Sequence, residues 1–448
     1  MSRIKGILII LLYMIFICNS AQAQDEKQII YLSWKNVVNI SLKDNLILKY
    51  KRLDYKIQNL ETWKSLSMFL PTLTYQGIAQ KNVELPVFVF MGQQFVVGTP
   101  YTFQHTLNLS LPIFTGGSRW FNYDIQKNVK KSLKEELEGK EEETVLNSMQ
   151  AYYGIILARE LQQSAAEAAG VAKQNLEQVQ KFYKAGTATE LDMQRAKAQY
   201  SSTLPMLEAA ISNKKLSVQR LKSLLNISLN DSLVVIDSLH KTNFLSEYSS
   251  LNLEDLKVLA DENRNDLKAL KYQRNAAKAG EKIALGMFTP TIALSASVDQ
   301  QAPVESYKVR WDDYIRSKSL TLSVSWPLFE GGRKVLNYQI AKIKTDQTDL
   351  MIKQTQFTNE LEIEQSYYNF MEASKSLQSL KDALDQYKES MRISNLLYAQ
   401  GISNQLDVLN AQLLYTKSKD DYLQGIYNYN VNQLALLKSI GLLDKIWK

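Results

Sequence analysis

The chain has 448 residues, of which 45% are hydrophobic, and a formal net charge of +7. This hydrophobic content argues against a bundle of membrane helices. The positive charges are spread along the chain without a basic block, so they are better explained by a solvated surface than by a nucleic-acid-binding surface. Only 8 Pro and 17 Gly interrupt the chain, so its helices and strands are expected to be long.

The N-terminus has the features of a secretory signal. Two basic residues, an apolar run over residues 7–17 and the cleavage motif Ala21-Gln22-Ala23 predict a signal peptide over residues 1–23. A lipid anchor on Cys18 is the alternative, although the bulky Ile17 before it disfavours processing at that site. Cys18 is the only cysteine, so a chain without it has no thiol chemistry. After residue 23 no stretch reaches the roughly 18 apolar residues of a spanning helix, so membrane entry would require strands.

Four segments alternate apolar and polar residues with a period of two, which predicts half-buried strands. They come in two pairs, at about residues 72–112 and 290–328, and each segment has about ten residues, the length of a membrane strand. A proline has no backbone N–H to donate to a neighbouring strand, so it is tolerated at strand ends. The predicted strand ends carry Pro71, Pro112, Pro290 and Pro327. The connections at about 85–100 and 302–317 are interpreted as loops, and the role of the apolar segment near 87–97 stays open.

The other segments are predicted to be helical. No Pro or Gly occurs from Lys334 to Tyr398, which allows a helix on the order of 100 Å long. Apolar residues at spacings of three and four indicate a coiled-coil seam. Helix turns are predicted at residues 184–190 and 399–405, where a glycine tolerates the positive φ of a helix end.

The chain is an internal duplication. Leu111-Pro112-Ile113-Phe114-Thr115-Gly116-Gly117 returns 215 residues later as Trp326-Pro327-Leu328-Phe329-Glu330-Gly331-Gly332, and the helix-turn motifs keep the same offset. We therefore predict a first repeat over residues 24–230, a junction over 231–252 and a second repeat over 253–448. Each repeat has an entry helix, a strand pair and a long helical hairpin. Four strands are too few to close a barrel, whereas three copies would supply twelve.

The ordered set of motifs resembles the TolC-like outer membrane efflux protein family, from about Trp34 to Leu437. The segments Phe182–Asp192 and Leu397–Leu409 look like the two helix-turn tips of that family, and Pro-x-Phe-x-Gly-Gly occurs in both halves. The resemblance implies an α+β membrane protein. A trimeric twelve-stranded outer-membrane β-barrel, with four strands per chain, would be continued by a long periplasmic α-helical barrel of coiled-coil hairpins.

The same resemblance implies the function. The chain would be the passive exit duct of a tripartite efflux or type I secretion system, without a cofactor. Its partners would be a periplasmic adaptor, an inner-membrane pump of RND, ABC or MFS type, and outer membrane lipid. Nothing in the sequence indicates the substrate or the pump class.

The resemblance also assigns roles to residues. The periplasmic aperture would contain Asp192, Tyr398 and Asp407. The adaptor-docking tips would be Gly186, Thr187, Gly401 and Ile402. The barrel-to-helix junction would contain Pro71, Pro112, Gly116, Gly117, Pro290, Pro327, Gly331 and Gly332. In relatives, polar contacts between the tips close the aperture. Ser403 stands where relatives have an arginine in these contacts, and Asn410 stands where a second ring of acidic residues may lie. The closing contacts are therefore expected to be weaker or differently built, and the ring less charged.

Other functions fit the sequence less well. A periplasmic coiled-coil adaptor would explain the helical hairpins but not the paired strands in both halves. An enzyme lacks support, because neither a phosphate-binding glycine loop nor a metal-ligand cluster occurs. His105, placed near a barrel rim, and His240, placed in the junction, are isolated and are interpreted as structural.

Overall fold

The structure is a computed structural model that describes residues 29–448 apart from Glu247 and residues 249–251. The predicted signal peptide, the Cys18 alternative and part of the junction lie outside the described residues. Helices α1 to α8 are Trp34–Asp44, Leu46–Ser67, Ser118–Lys184, Glu190–Leu225, Leu253–Asn263, Asn265–Gly286, Arg333–Ala399 and Gln405–Ser439. Strands β1 to β8 are Ile29–Leu32, Thr72–Lys81, Val87–Phe90, Gln93–Val96, Tyr101–Thr115, Ser232–Val235, Thr291–Val304 and Ile315–Ser325.

The duplication is visible in the helix lengths. Helices α1 and α5 each have 11 residues, α2 and α6 each have 22, and α3 and α7 each have 67. At about 1.5 Å per residue, each of the longest helices spans about 100 Å. Among the described residues, no helix is both long enough and apolar enough to cross a bilayer.

The predicted single entry helices are wrong, because each is divided in two. Asn45 and Arg264 both have a non-helical ψ near 125°. The Asn45 side chain then accepts hydrogen bonds from the backbone N–H groups of Ile47 and Leu48, which caps the following helix. The Arg264 guanidinium binds Glu362 at 2.8 Å. These long-range and capping contacts compensate for the broken helix, and helical periodicity alone does not reveal them.

Four long strands form one antiparallel sheet in the order β2–β5–β7–β8. The register pairs Leu109 with Leu73 on one side and with Ala296 on the other, and Ala296 pairs with Leu320. Successive residues therefore give the sheet one apolar and one polar face. The edge strands β2 and β8 each have a partner on one side only among the described residues.

Two details of the strands differ from the prediction. Strand β5 does not end at Pro112 but continues to Thr115. A β-bulge between Pro112 and Phe114 accommodates the backbone N–H that Pro112 lacks. The apolar segment interpreted as a loop contains the β3–β4 hairpin, in which Phe88 pairs with Phe95. Its turn is Met91-Gly92, both with positive φ, a hairpin conformation in which a non-glycine first residue is uncommon.

The main core lies midway along the long helices, where α1, α3 and α8 meet the parallel pair β1–β6. Tyr152 is fully buried there, and its hydroxyl donates a 2.5 Å hydrogen bond to Asp237. Leu32, Leu221 and Leu434 are also fully buried. This core holds the two repeats together and leaves the sheet and the helix tips at opposite ends.

Candidate functional site at the helix tips

The first tip joins α3 to α4 through a glycine-dependent turn. Gly186 has a φ of 72°. Its N–H donates to the Tyr183 carbonyl at 3.0 Å, and the N–H of Thr187 donates to the Phe182 carbonyl at 2.9 Å. This pair of bonds is a Schellman motif, which satisfies the last carbonyls of the helix.

The second tip, between α7 and α8, repeats the first bond for bond. Gly401 has a φ of 73°. Its N–H donates to the Tyr398 carbonyl at 3.0 Å, and the N–H of Ile402 donates to the Leu397 carbonyl at 2.9 Å. Both glycines, Thr187 and Ile402 are exposed, so the two tips have the same backbone turn but present a hydroxyl group at one and an apolar side chain at the other.

The two aspartates begin the return helices but are held differently. The Asp192 carboxylate accepts from the N–H of Thr189 at 3.1 Å, and the Thr189 hydroxyl accepts from the N–H of Asp192 at 3.1 Å, a reciprocal capping box. The Asp407 N–H donates to the Asn404 side chain at 3.0 Å, whereas its carboxylate accepts from the Ser403 hydroxyl at 2.8 Å. Both carboxylates thus lie where a helix N-terminus favours negative charge.

The tips meet through aromatic rings. Phe182 and Tyr398 pack edge to face with ring centroids 5.9 Å apart. Burial raises the pKa of the Tyr398 hydroxyl, and the negative charge of Asp192 raises it further. Among the described residues, no hydrogen bond joins the Asp192 and Tyr398 side chains. The Asp192 carboxylate oxygen Oδ1 instead lies 4.0 Å from Nη1 of the Arg195 guanidinium. The structure therefore places Asp192 and Tyr398 near each other without a hydrogen bond, whereas the hydrogen bonds of Asp407 among the described residues involve Ser403 and Asn404.

Sequence reasoning missed Gln405, the first residue of α8. Its side chain is 2% exposed, and neither amide atom has a hydrogen-bond partner in the described part of the chain. An unpaired buried amide costs about 1–3 kcal/mol. No local motif marks this position, because its burial results from how the two hairpins pack.

At the other end of the long helices, glycines connect the sheet to α3 and α7. Gly117 and Gly332 are the N-cap residues of these helices, and they and the preceding glycines all have positive φ. Gly116 lies against the end of α6, since a Cβ there would be 2.2 Å from the Gly286 carbonyl oxygen. Gly331, its counterpart, has no atom within 4 Å of that point in the described structure.

The remaining predicted junction residues lie at the same level. Pro71 directly precedes β2, Pro290 directly precedes β7, and Pro327 follows β8. The Lys334 amine donates to the Pro327 carbonyl. This bond connects the start of α7 to the residues that follow β8 in the second repeat.

The two histidines make ordinary polar contacts. His105 bonds the hydroxyls of Tyr75 at 2.7 Å and Tyr314 at 3.0 Å, near the end of the sheet far from the helices. His240 Nδ1 lies 2.9 Å from the Ser238 carbonyl oxygen. Among the described residues, no group of three or more His, Cys, Asp or Glu side chains is arranged to hold a metal.

Comparison with known proteins identifies the class of protein. A family model described as outer membrane efflux protein matches residues 92–226 and 256–442. The chain therefore belongs to the outer membrane efflux protein family, which makes it an outer membrane protein and not an enzyme, as the sequence predicted.

Two named relatives illustrate the distance within the family. Outer membrane protein TolC of Escherichia coli (strain K12) is 23% identical over 328 residues, covering 67% of this chain and 62% of the relative. The match thus spans less than two thirds of that protein. The probable outer membrane lipoprotein SilC of Salmonella typhimurium is 24% identical over 183 residues, covering 40% of this chain and 38% of the relative.

Solved structures show the fold. A membrane protein from Pseudomonas aeruginosa superposes with a TM-score of 0.80 at 18% identity, covering 93% of this chain and 92% of the other. The CmeC outer membrane channel of Campylobacter jejuni superposes with a TM-score of 0.79 at 18% identity, covering 92% of this chain and 86% of the other. The chain has the fold of these proteins, which confirms the resemblance inferred from the repeated motifs.

Proposed function

We propose that the chain is one protomer of a passive, trimeric exit duct, which crosses the outer membrane as a β-barrel and continues as a helical tunnel. The observation that carries this proposal is the four-stranded sheet with one apolar face and two edges that have no partner strand among the described residues. In a bilayer every strand edge must be paired, so such a sheet is stable only when other copies close it. Three copies of the four strands give twelve, within the range of bacterial barrels.

The apolar face of the sheet supports its placement in lipid. Leu73, Leu320 and Val324 are each more than 60% exposed. The opposite face carries Thr106, Ser297 and Asp299, whose side chains hydrogen-bond with one another. In a closed barrel these faces become the lipid surface and the lumen, since alternate residues of a strand point outward and inward.

The helices next to the sheet edges support ring closure. Helix α2 leads into β2 and helix α7 follows β8, so each lateral side of the chain consists of one strand edge and one helix. Both helices carry exposed apolar stripes, which include Leu53, Leu60 and Trp63 on α2 and Leu350, Phe357 and Leu361 on α7. The two sides differ, so copies join head to tail, and such contacts close into a ring.

The duplication predicts the register of this contact. Helices α2 and α6 are offset by 219 residues, and α3 and α7 by 215. Within the chain, α6 packs on α3, with Gln273 Nε2 donating to the Ser132 hydroxyl at 3.2 Å. By these offsets, the equivalent contact between copies joins Asp54 to Gln347. Gly331, which has no atom within 4 Å of its Cβ position among the described residues, would lie near Ser67 of the next copy, but less closely than Gly116 lies to Gly286, because Ser67 has a side chain.

The tips and junctions take their proposed roles from this assembly. Asp192, Tyr398 and Asp407 would line the periplasmic aperture, where three copies converge. Gly186, Thr187, Gly401 and Ile402 would dock a periplasmic adaptor, because they are exposed at the end of the long helices. The glycines and prolines between sheet and helices would join barrel to tunnel. An inner-membrane pump would supply the energy for efflux or polypeptide secretion.

A cross-linking experiment tests the assembly. Asp54→Cys with Gln347→Cys, in a chain without other mature cysteines, should give covalent trimers with a short bis-maleimide. Asp54→Cys with Thr345→Cys is the control, because Thr345 is buried within the chain. The purified protein should also form conducting channels in planar bilayers. Absence of both cross-linked trimers and conductance would reject the proposal.

A further inference from the structure

The apolar face of the sheet ends in two cations. Along β8 this face carries Val324, Leu322 and Leu320, followed by Lys318 and Arg316. The two cations lie on the end of the strand that is far from the helices. In the proposed barrel this end faces the outside of the cell.

The spacing places these cations at a bilayer boundary. Trp326, just after β8, donates its indole N–H to the Phe288 carbonyl at 3.1 Å on the helix side of the sheet. Arg316 is ten positions earlier, a rise of about 34 Å along a strand. With a strand tilt of roughly 40°, the height is about 26 Å, close to the apolar band of about 25 Å on outer-membrane barrels.

Neither cation is neutralised by a carboxylate of the described residues. No carboxylate lies within ion-pair distance of Arg316 or Lys318 in the described part of the protein. The Arg316 guanidinium instead faces the Gln300 amide, whose oxygen, in the orientation that satisfies both groups, accepts at 2.9 Å. The nearby Asp299 carboxylate points to the polar face, where Thr106 and Ser297 donate to it.

Aromatic residues lie near the same end of the sheet as the two cations. His105 pairs with Gln300 across the strands and bonds the hydroxyl of Tyr314. The rings of Trp311 and Tyr314 lie with centroids 5.8 Å apart. Such amphipathic rings are enriched at the headgroup level of membranes.

We propose that Arg316 and Lys318 bind the phosphate of a phosphorylated lipid headgroup in the outer leaflet. The guanidinium presents paired donors that fit phosphate oxygens. Lys318 lies two residues closer than Arg316 to the middle of the apolar band. Its long side chain reaches the height of the Arg316 guanidinium by extending along the apolar surface. The position at the edge of the apolar band favours a lipid over free phosphate. The inference rests on the proposed insertion of the sheet in the outer membrane.

The test measures lipid retained by the purified trimer in phosphatidylcholine nanodiscs that contain lipid A. Native mass spectrometry counts bound lipid A for wild type and for Arg316→Gln with Lys318→Gln. We expect about twenty-five-fold weaker retention, since each of the two cations near an anionic surface contributes roughly fivefold. Lys214→Gln with Lys215→Gln on α4 removes the same charge away from the sheet and should retain lipid A as wild type does. Dephosphorylated lipid A should bind weakly to every form.

Separate results decide the two proposals. Equal lipid A retention in wild type and the Arg316/Lys318 variant, with both conducting as trimers, would overturn the lipid site alone. Displacement of lipid A by inorganic phosphate at equal concentration would assign the site to free phosphate and overturn it also. Loss of conductance and of trimers in the wild type would instead reject the proposed duct.

Discussion

Gly116 and Gly286 touch backbone to backbone, with the carbonyl oxygen of Gly286 in the position that a Gly116 side chain would occupy. The contact connects the end of α6 to the start of α3, where the strands of the two repeats come together. Both residues must be glycine for these segments to approach so closely.

The first prediction compares two equivalent glycines. Gly116→Ala should lower the stability of the folded chain by about 1–3 kcal/mol more than Gly331→Ala, because only Gly116 faces backbone atoms within its own chain. Both substitutions also carry the cost of positive φ, about 1–2 kcal/mol. Thermal unfolding followed by circular dichroism, with refolded yield, measures the difference. If the two variants lost the same stability, the close contact between Gly116 and Gly286 would not contribute to the cost of the Gly116 substitution.

The second prediction concerns the contact between the tips. Tyr398→Phe and Asp192→Ala should each raise single-channel conductance, because the Tyr398 hydroxyl is partly buried beside the Asp192 charge. Asp192→Asn keeps a side chain that can cap the helix, so its single-channel conductance shows whether the negative charge of Asp192 is what restricts the channel. Tyr387→Phe, elsewhere on α7, is the matched control. Wild-type conductance in both tip variants would show that these residues do not line the aperture.

The third prediction concerns Asp407. Asp407→Asn should reduce the preference for cations, because a ring of three carboxylates at a constriction attracts them. Asn404 still caps the helix through the Asp407 N–H, so the fold of the tip should be retained. The reversal potential in a salt gradient gives the result, with Asp44→Asn on α1 as the control. An unchanged potential would place the carboxylate off the lumen.

The fourth prediction is a pH dependence caused by Glu142. Its side chain is 5% exposed, and burial, with the Asp444 carboxylate nearby, raises its pKa to about 7 from 4.5, against the lowering effect of Lys438 and Arg264. The folded pKa exceeds the unfolded one, so this stabilising contribution is complete below about pH 4.5 and is lost as pH rises through about 7.

Glu142→Gln should therefore raise the free energy of unfolding near pH 8, by up to about 3 kcal/mol. Near pH 4.5 the variant should resemble the wild type. Thermal midpoints at the two pH values check this, with Glu143→Gln, an exposed neighbour, as the control. The same change in both variants would mean that burial of Glu142 is not the cause.

Part of the candidate site could be predicted from sequence because its signals are local. Gly186 and Gly401 end helices, and Asp192 and Asp407 begin them, as their positions in short motifs indicated. The breaks at Asn45 and Arg264 and the burial of Gln405 were not predicted, because each depends on contacts with distant segments. The β3–β4 hairpin was missed because its apolar residues are consecutive and show no alternation.

By itself, the sequence determined the duplication, the alternating strands and the long helices, since periodicity and turn residues act over a few neighbours. Only the tertiary structure decided the strand order β2–β5–β7–β8 and the contact between the two tips. These features bring together residues far apart in the chain, such as Phe182 and Tyr398 or Gly116 and Gly286. Their proximity is set by the packing of whole elements, which no local pattern encodes.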